Sequence, residues 1–217
     1  MPLPGAVEVL ARLAGRYGLV GVVSGRPISY LRDRLGGAGE RLWLSGLYGL
    51  EATDGGRPVE IPGVRWWRPK VAEVVAAARE RFGDLVEDKG LSLTLHARTA
   101  PEREAEIRAW AATEAGRSGL VVRPAKASVE LHPPVPTDKG TVVEAAAGGM
   151  RAAAYFGDDV GDLPAFDGLD RLAAAGVEVV RVAVRTEEAP PDLLRRADVV
   201  VDGPSGCLAL FEDLARR

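Results

Sequence analysis

Asparagine and glutamine are both absent from the 217 residues of this chain, and cysteine is nearly so. Cys207 is the only cysteine, which excludes an internal disulfide and a cysteine-based metal cluster. No apolar run approaches the roughly 20 residues of a membrane span, and residues 1–18 lack the order of a secretion signal. A net charge of -3 provides no basic field for nucleic acid or for a membrane surface. We therefore expect a soluble, cytoplasmic monomer that binds neither nucleic acid nor a membrane.

Lysine is also scarce, because only four of the 28 basic residues are lysines: Lys70, Lys89, Lys126 and Lys139. Drift towards Arg, Ala and Gly codons produces this composition, and such drift replaces a lysine wherever any solvated positive charge is sufficient. A retained lysine is therefore enriched at places that need a compact ammonium group, the alternative being four chance survivors.

Two segments of buried strands and helices enclose a middle segment of a different kind. An all-apolar strand at 19–23 and largely apolar strands at 152–156, 177–184 and 197–201 alternate with helices at 4–16, 27–35, 160–176, 188–196 and 204–216. This alternation is typical of a doubly wound parallel α/β sheet. From 46 to 135, short alternating strands are interleaved with amphipathic helices at 68–82 and 102–118, which indicates an α+β layer. We predict a discontinuous core, 1–45 with 136–217, and an inserted cap, 46–135, that determines substrate specificity.

The segment Ser24-Gly25-Arg26-Pro27 stands between a strand and a helix. A small hydroxyl, a permissive glycine and exposed amides at a helix start make a pocket for an anion. The alternative is an ordinary turn, since Ser-Gly is common in turns.

Lys139 lies at a helix start in "PTDKGT", where Thr137 or Asp138 is a plausible N-cap. An ammonium group there faces the unfavourable end of the helix dipole. That misfit and the scarcity of lysine favour a functional cation that binds an anion, against the alternative of a solvated side chain.

Asp158, Asp159 and Asp162 follow the strand "AAAYF" and start a helix. Capping explains one or two of these carboxylates but not all three. Carboxylate oxygens suit Mg²⁺, which takes one or two of them and completes its shell with water and phosphate. We therefore predict a magnesium site here.

The three motifs share one location, because ligands of open α/β sheets bind beyond the carboxyl ends of the strands. Their order and spacing resemble the second, third and fourth motifs of the haloacid dehalogenase-like (HAD) hydrolases, a superfamily of phosphotransferases. The resemblance implies that Ser24 and Arg26 bracket a phosphate, assisted by Gly25, and that Lys139 neutralises the charge that develops on it.

Motifs in the middle segment make the resemblance more specific. "LYGLE" at 47–51, "EDKGLSLTLHAR" at 87–98, "RPAKASVELHP" at 123–133 and the two later motifs together resemble the trehalose-6-phosphate phosphatase family, over essentially the whole chain. The family's cap supplies sugar contacts at positions that match Glu87 and Lys89, and Lys126 and Glu130. His96 is expected to occupy one face of a cap strand rather than to act in catalysis.

The family's first motif, Asp-x-Asp-Gly-Thr after an apolar strand, has no counterpart, since the sequence contains no Asp-x-Asp. In the family the first Asp attacks phosphorus and the second is the general acid and base. We expect that Met1 falls just downstream of the nucleophile strand, through a misplaced or truncated start rather than real loss in a degenerate homologue. A sheet without that strand has unpaired edges.

The resemblance thus implies a Mg²⁺-dependent phosphatase that converts trehalose 6-phosphate to trehalose. A phosphatase of another sugar phosphate, such as sucrose phosphate or mannosyl-phosphoglycerate, is the alternative within the same class. A non-catalytic sugar-phosphate sensor is the alternative outside it.

Overall fold

The computed structural model of the chain describes residues 2–54, 56–125, 127–187 and 189–216. The helices are α1 Ala6–Ala14, α2 Ile28–Leu35, α3 Arg68–Phe82, α4 Glu104–Ser118, α5 Lys139–Ala147, α6 Leu163–Ala174, α7 Pro191–Arg196 and α8 Gly203–Arg216. The strands are β1 Gly21–Val23, β2 Trp43–Gly46, β3 Glu51–Asp54, β4 Arg57–Glu60, β5 Val86–Asp88, β6 Leu93–His96, β7 Val121–Ala125, β8 Ser128–His132, β9 Ala152–Gly157, β10 Glu178–Arg185 and β11 Val199–Asp202. No helix of the described residues combines the length and apolarity that a bilayer crossing requires.

The chain divides into two compact units. Met1–Val59 and Thr137–Arg217 form the core unit, and Glu60–Pro136 form the inserted unit. Residues 46–59, which we predicted to belong to the cap, therefore group with the core unit. The physical reason is that β3 and β4 extend the sheet that β1 and β2 begin. Short connections join β2 to β3 and β3 to β4, and such connections favour antiparallel pairing within one sheet.

The core unit confirms the predicted α/β class, with its strands in two sheets. The first has the order β1-β2-β3-β4, with β1 and β2 parallel, and the second has the order β11-β10-β9, all parallel. Within the described residues β1 and β9 each lie at the end of a sheet. α2 packs with β2 in one buried cluster, and α5 and α6 build another against β9 and β10.

Two glycines allow α5 and α6 to pack backbone to backbone. A Cβ on Gly140 of α5 would lie 2.1 Å from the carbonyl oxygen of Pro164, and one on Gly168 of α6 would lie 2.5 Å from the carbonyl oxygen of Gly140. Side chains larger than hydrogen cannot fit at such distances. The close approach fixes the start of α5 beside the start of α6.

The inserted unit is an α+β layer. Its sheet has the order β5-β6-β8-β7, with antiparallel neighbours throughout. Alternate strand residues, among them Leu93, Leu95 and Leu131, are fully buried against α3 and α4. The other face of the sheet carries polar side chains, the pattern of an antiparallel sheet with one face on the core.

Candidate functional site

A buried ion pair joins the start of α5 to the start of α6. Lys139 Nζ lies 2.6 Å from Asp162 Oδ1, and the two side chains are 10% and 5% exposed. Asp138 caps α5 by accepting a hydrogen bond from the Thr141 amide at 2.8 Å. Of the two predicted N-caps, Thr137 and Asp138, the structure therefore has Asp138. The cap begins the helix one residue before Lys139, and the ammonium group is thereby directed to the carboxylates that follow β9.

Both oxygens of Asp162 are occupied by hydrogen bonds. Oδ1 also accepts from the Tyr155 hydroxyl at 2.6 Å, and Oδ2 accepts from the amides of Asp158 and Asp159 at 3.0 and 3.3 Å. Burial alone would raise the pKa of Asp162, but Lys139 and these donors together hold the pKa below its usual range. Burial and the nearby Asp162 charge raise the pKa of Tyr155, so its hydroxyl stays protonated. Asp162 is therefore an ionised acceptor that orders the loop after β9.

The predicted metal residues come together in this loop. One carboxylate oxygen from each of Asp158, Asp159 and Asp162 lies within 4.8 Å of the others. Asp158 and Asp159 are exposed, whereas Asp162 is buried. Burial raises the pKa of Asp159, partly offset by Lys139 at 3.9 Å. Hard oxygen donors fit Mg²⁺, and we propose Asp158 and Asp159 as the ligands, with Asp162 positioning their backbone.

Replacing Asp158 or Asp159 by asparagine is expected to weaken Mg²⁺ binding by at least about tenfold, because each change removes an anionic ligand. Calorimetric titration with MgCl₂ measures the affinity. Asp213→Asn, which changes an exposed aspartate beside Arg216 in α8, is the matched control and should bind Mg²⁺ as the unaltered chain does. Equal affinities in all four proteins would contradict the assignment.

The Ser24–Arg26 segment follows β1 at the carboxyl end of its sheet. Ser24 Oγ accepts a hydrogen bond from the Arg26 amide at 3.1 Å, so the hydroxyl lies over the turn that starts α2. Arg26 is exposed. A Cβ on Gly25 would lie 2.5 Å from the Tyr48 ring, so a larger residue here would require the ring to move. The segment presents a hydroxyl and a guanidinium at a helix start, which are groups that bind a phosphate.

A left-handed turn connects this segment to α5. Leu47 and Tyr48 have φ of 52° and 56°, and Gly49 follows with φ of 100°. Two consecutive residues with side chains in this region are strained. The Tyr48 amide donates to the Ser24 carbonyl at 3.0 Å, and the Tyr48 carbonyl accepts from Thr137 Oγ1 at 3.0 Å. Tyr48 thus connects the Ser24–Arg26 segment to Thr137, two positions before Lys139.

Sequence reasoning did not identify Tyr48, Thr137 or Tyr155 as parts of the site. The sequence suggested Thr137 only as a possible N-cap, and the turn conformation of Tyr48 cannot be predicted from residue types. Tyr155 stands in an apolar strand, where an aromatic residue is ordinarily core. The hydroxyl of Tyr155 could have indicated a polar contact, since a buried tyrosine hydroxyl needs a hydrogen-bond partner.

Three of the four predicted sugar residues, Glu87, Lys89 and Glu130, lie at the polar face of the inserted unit's sheet. Lys89 Nζ is 3.6 Å from Glu130 Oε1, with both side chains almost fully buried. Glu87 Oε2 lies 2.8 Å from His96 Nε2, and both side chains are partly exposed. His96 thus lies on the same face of the sheet as Glu87, one of the predicted sugar contacts. Lys126 falls outside the described residues.

The chain matches known proteins over most of its length. The family model described as trehalose-phosphatase matches residues 1–198. A probable trehalose-phosphate phosphatase of Sinorhizobium fredii is 32% identical over 186 residues, covering 82% of this chain and 68% of that protein. The trehalose-phosphate phosphatase of Mycobacterium ulcerans is 31% identical over 200 residues, covering 86% of this chain and 49% of that protein.

Two solved structures share the fold. A trehalose-6-phosphate phosphatase related protein superposes with a TM-score of 0.79 at 17% identity, covering 97% of this chain and 86% of its own. The C-terminal domain of a Candida albicans trehalose-6-phosphate phosphatase superposes with a TM-score of 0.73 at 21% identity, covering 100% of this chain and 84% of its own.

Proposed function

Because the chain belongs to the trehalose-phosphatase family, we propose that it binds trehalose 6-phosphate and carries the phosphate, metal and sugar sites for its hydrolysis to trehalose and phosphate. The chain spans 68% of the Sinorhizobium fredii relative and 49% of the Mycobacterium ulcerans relative. The proposal includes a cytoplasmic monomer that acts on a small molecule and binds no nucleic acid or membrane.

The Lys139–Asp162 ion pair beside Asp158 and Asp159 carries this proposal. The cluster holds a buried cation next to exposed carboxylates at the carboxyl end of β9, where ligands of α/β sheets bind. A cation and an anionic metal site side by side fit a phosphate ester that bridges a divalent ion and an ammonium group. Bound Mg²⁺ would supply charge neutralisation for the phosphate oxygens.

Each chain residue then has a defined task at the phosphate. Lys139 donates to a phosphate oxygen while it keeps Asp162 ionised, and Ser24 and Arg26 hold the phosphate from the β1 side. Gly25 leaves the space that the Tyr48 ring fills, and the Arg26 amide orients the Ser24 hydroxyl by donating a hydrogen bond to it. Asp158 and Asp159 would hold the metal.

Glu87, Lys89, Lys126 and Glu130 are the proposed contacts of the sugar. Charged donors and acceptors in a fixed arrangement can orient the many hydroxyls of a disaccharide. Glu130 supports this assignment because Ser92 Oγ donates to Oε1 at 2.7 Å while Lys89 and Arg123 flank the carboxylate. These contacts orient the Glu130 carboxylate.

Residues 1–217 contain no Asp-x-Asp, so we expect this polypeptide to bind trehalose 6-phosphate without releasing phosphate. Calorimetry measures binding, and a phosphate-release assay with MgCl₂ measures turnover. A polypeptide extended by the coding sequence upstream of Met1, if it encodes Asp-x-Asp-Gly-Thr, should turn over the substrate. Robust Mg²⁺-dependent release by residues 1–217 alone would refute this prediction.

A panel of substrates separates the alternatives. Preference of the extended polypeptide for sucrose phosphate or mannosyl-phosphoglycerate over trehalose 6-phosphate would assign a different sugar phosphate. Binding without turnover, in a gene whose upstream DNA encodes no Asp-x-Asp, would identify a sugar-phosphate sensor. Absence of binding to any of the three would contradict the proposed function.

A further inference from the structure

A row of polar residues crosses the sheet of the inserted unit, with one residue from each strand. The register pairs Glu87 with Thr94, Thr94 with Glu130, and Glu130 with Arg123. Directly opposed residues of neighbouring strands point to the same face of a sheet. The four side chains therefore share one face, which is the face opposite to the buried cluster with α3 and α4.

Charge in this row is concentrated around Glu130. Its carboxylate is 6% exposed and lies between two cations, Lys89 on one side and Arg123 on the other, each at 3.6 Å. Ser92, which is fully buried, donates its hydroxyl to the same carboxylate. The hydrogen bond from Ser92 and the two nearby cations offset the cost of burying this carboxylate.

Thr94 lies beside Glu130 on the adjacent strand of this row. It is 6% exposed, and in the part of the chain that the structure describes its hydroxyl has no hydrogen-bond partner. A buried hydroxyl without a partner destabilises the folded chain, whereas a valine of the same shape would not. Its place in the row, between Glu87 and Glu130, is where a ligand held by those two carboxylates would lie.

We propose that Thr94 is a specificity-determining residue that hydrogen-bonds a hydroxyl of the bound sugar. Carboxylates only accept hydrogen bonds, whereas a sugar hydroxyl both donates and accepts. A sugar hydroxyl that donates to Glu87 or Glu130 can therefore accept a hydrogen bond from Thr94. Binding of the sugar would satisfy the threonine hydroxyl, so part of the binding free energy comes from a group that is unsatisfied in the free protein. The inference rests on the proposed function.

The variant Thr94→Val tests this role, because it removes the hydroxyl and keeps the shape. We expect its affinity for trehalose 6-phosphate, measured by calorimetry on the full chain, to fall about tenfold, which corresponds to about 1.4 kcal/mol. In the absence of ligand its unfolding midpoint should rise by about 2 °C or more, because an unsatisfied buried group has been removed. A merely structural threonine would not produce these opposite changes.

Two further variants serve as controls. Thr94→Ser keeps a hydroxyl and should keep an affinity within about threefold of the unaltered chain. Thr113→Val removes an exposed hydroxyl of α4 that bonds the Ala109 carbonyl, and should leave the affinity unchanged. If the unaltered chain binds trehalose 6-phosphate and Thr94→Val binds it equally well or melts lower, this inference is overturned and the proposed function stands. If the unaltered chain does not bind trehalose 6-phosphate, the proposed function itself fails.

Discussion

Replacing Lys139 by methionine is expected to remove about 3 to 5 kcal/mol from the free energy of unfolding, because it leaves the buried Asp162 carboxylate without its counter-charge. Nζ and Oδ1 are 2.6 Å apart and nearly inaccessible to solvent, so water cannot replace the lost ammonium group. The same variant should lose most of its affinity for trehalose 6-phosphate, since the cation that faces the phosphate is gone. Urea unfolding measures the first effect and calorimetry the second.

Two variants separate the ion pair from a general effect of losing a lysine. Lys70→Met removes a lysine whose partner, Glu73, is exposed, and should change neither property measurably. Combining Lys139→Met with Asp162→Asn removes both charges, so the double variant should recover stability while its phosphate affinity stays low. A Lys139→Met protein as stable as Lys70→Met would contradict the buried ion pair.

Replacing Gly140 by alanine is expected to cost about 3 kcal/mol, the upper end of the range for overpacking. The new Cβ would lie 2.1 Å from the Pro164 carbonyl oxygen, which belongs to the backbone of α6 and cannot rotate away. The two helices would have to separate, which would lengthen the contact between Lys139 and Asp162. Urea unfolding and Mg²⁺ titration should therefore both show losses.

Gly116→Ala is the matched control for this substitution. Gly116 lies within α4 with no atom within 4 Å of the added Cβ, so alanine should stabilise the chain by about 0.5 to 1 kcal/mol through its higher helix propensity. One chemical change thus has opposite signs at two helical positions. A Gly140→Ala protein that is as stable as the unaltered chain would show that the close packing of α5 on α6 is absent.

The clustering of Lys139 with the three aspartates could be predicted from the sequence, whereas the contacts that Asp162 makes could not. Lys139 was identified because lysine is scarce and because a cation is out of place at a helix start. The three aspartates were identified because their number exceeds what capping needs. That Asp162 is occupied by Tyr155 and two amides depends on the path of the chain after β9, which no residue pattern specifies.

Within the fold, the strands that alternate with helices were predicted close to their observed positions, as were α3 and α4. The hairpin β3–β4 was assigned to the wrong unit because short alternating strands look alike in any sheet. The sheet that a strand joins depends on which other strand it pairs with, and tertiary structure determines that pairing. The left-handed turn at Leu47 and Tyr48 escaped prediction for a related reason, since neither residue type favours that conformation.

The polar row of the inserted unit shows the same limit. Glu87 and Glu130 were predicted as sugar contacts through the family resemblance, but Thr94 was not singled out. Its significance depends on the register of three strands and on the burial of a single oxygen. Neither can be obtained from spacing along the chain, because a shift of one residue would move Thr94 to the opposite face.

The separation of the core unit into two sheets has a consequence for folding cooperativity. The buried cluster of α2 with β2 and the buried cluster of α5 with α6 are distinct. We call the parts of the core unit built on these clusters its first and second halves. Each half is a candidate for local unfolding by itself, as subglobal units of proteins are. Ser24 and Arg26 belong to one half, and Lys139 with the aspartates belongs to the other. A phosphate bound by residues of both halves would couple their unfolding, because local unfolding of either half would lose the binding free energy of the phosphate. With substrate bound, the two halves would then unfold together rather than partly independently.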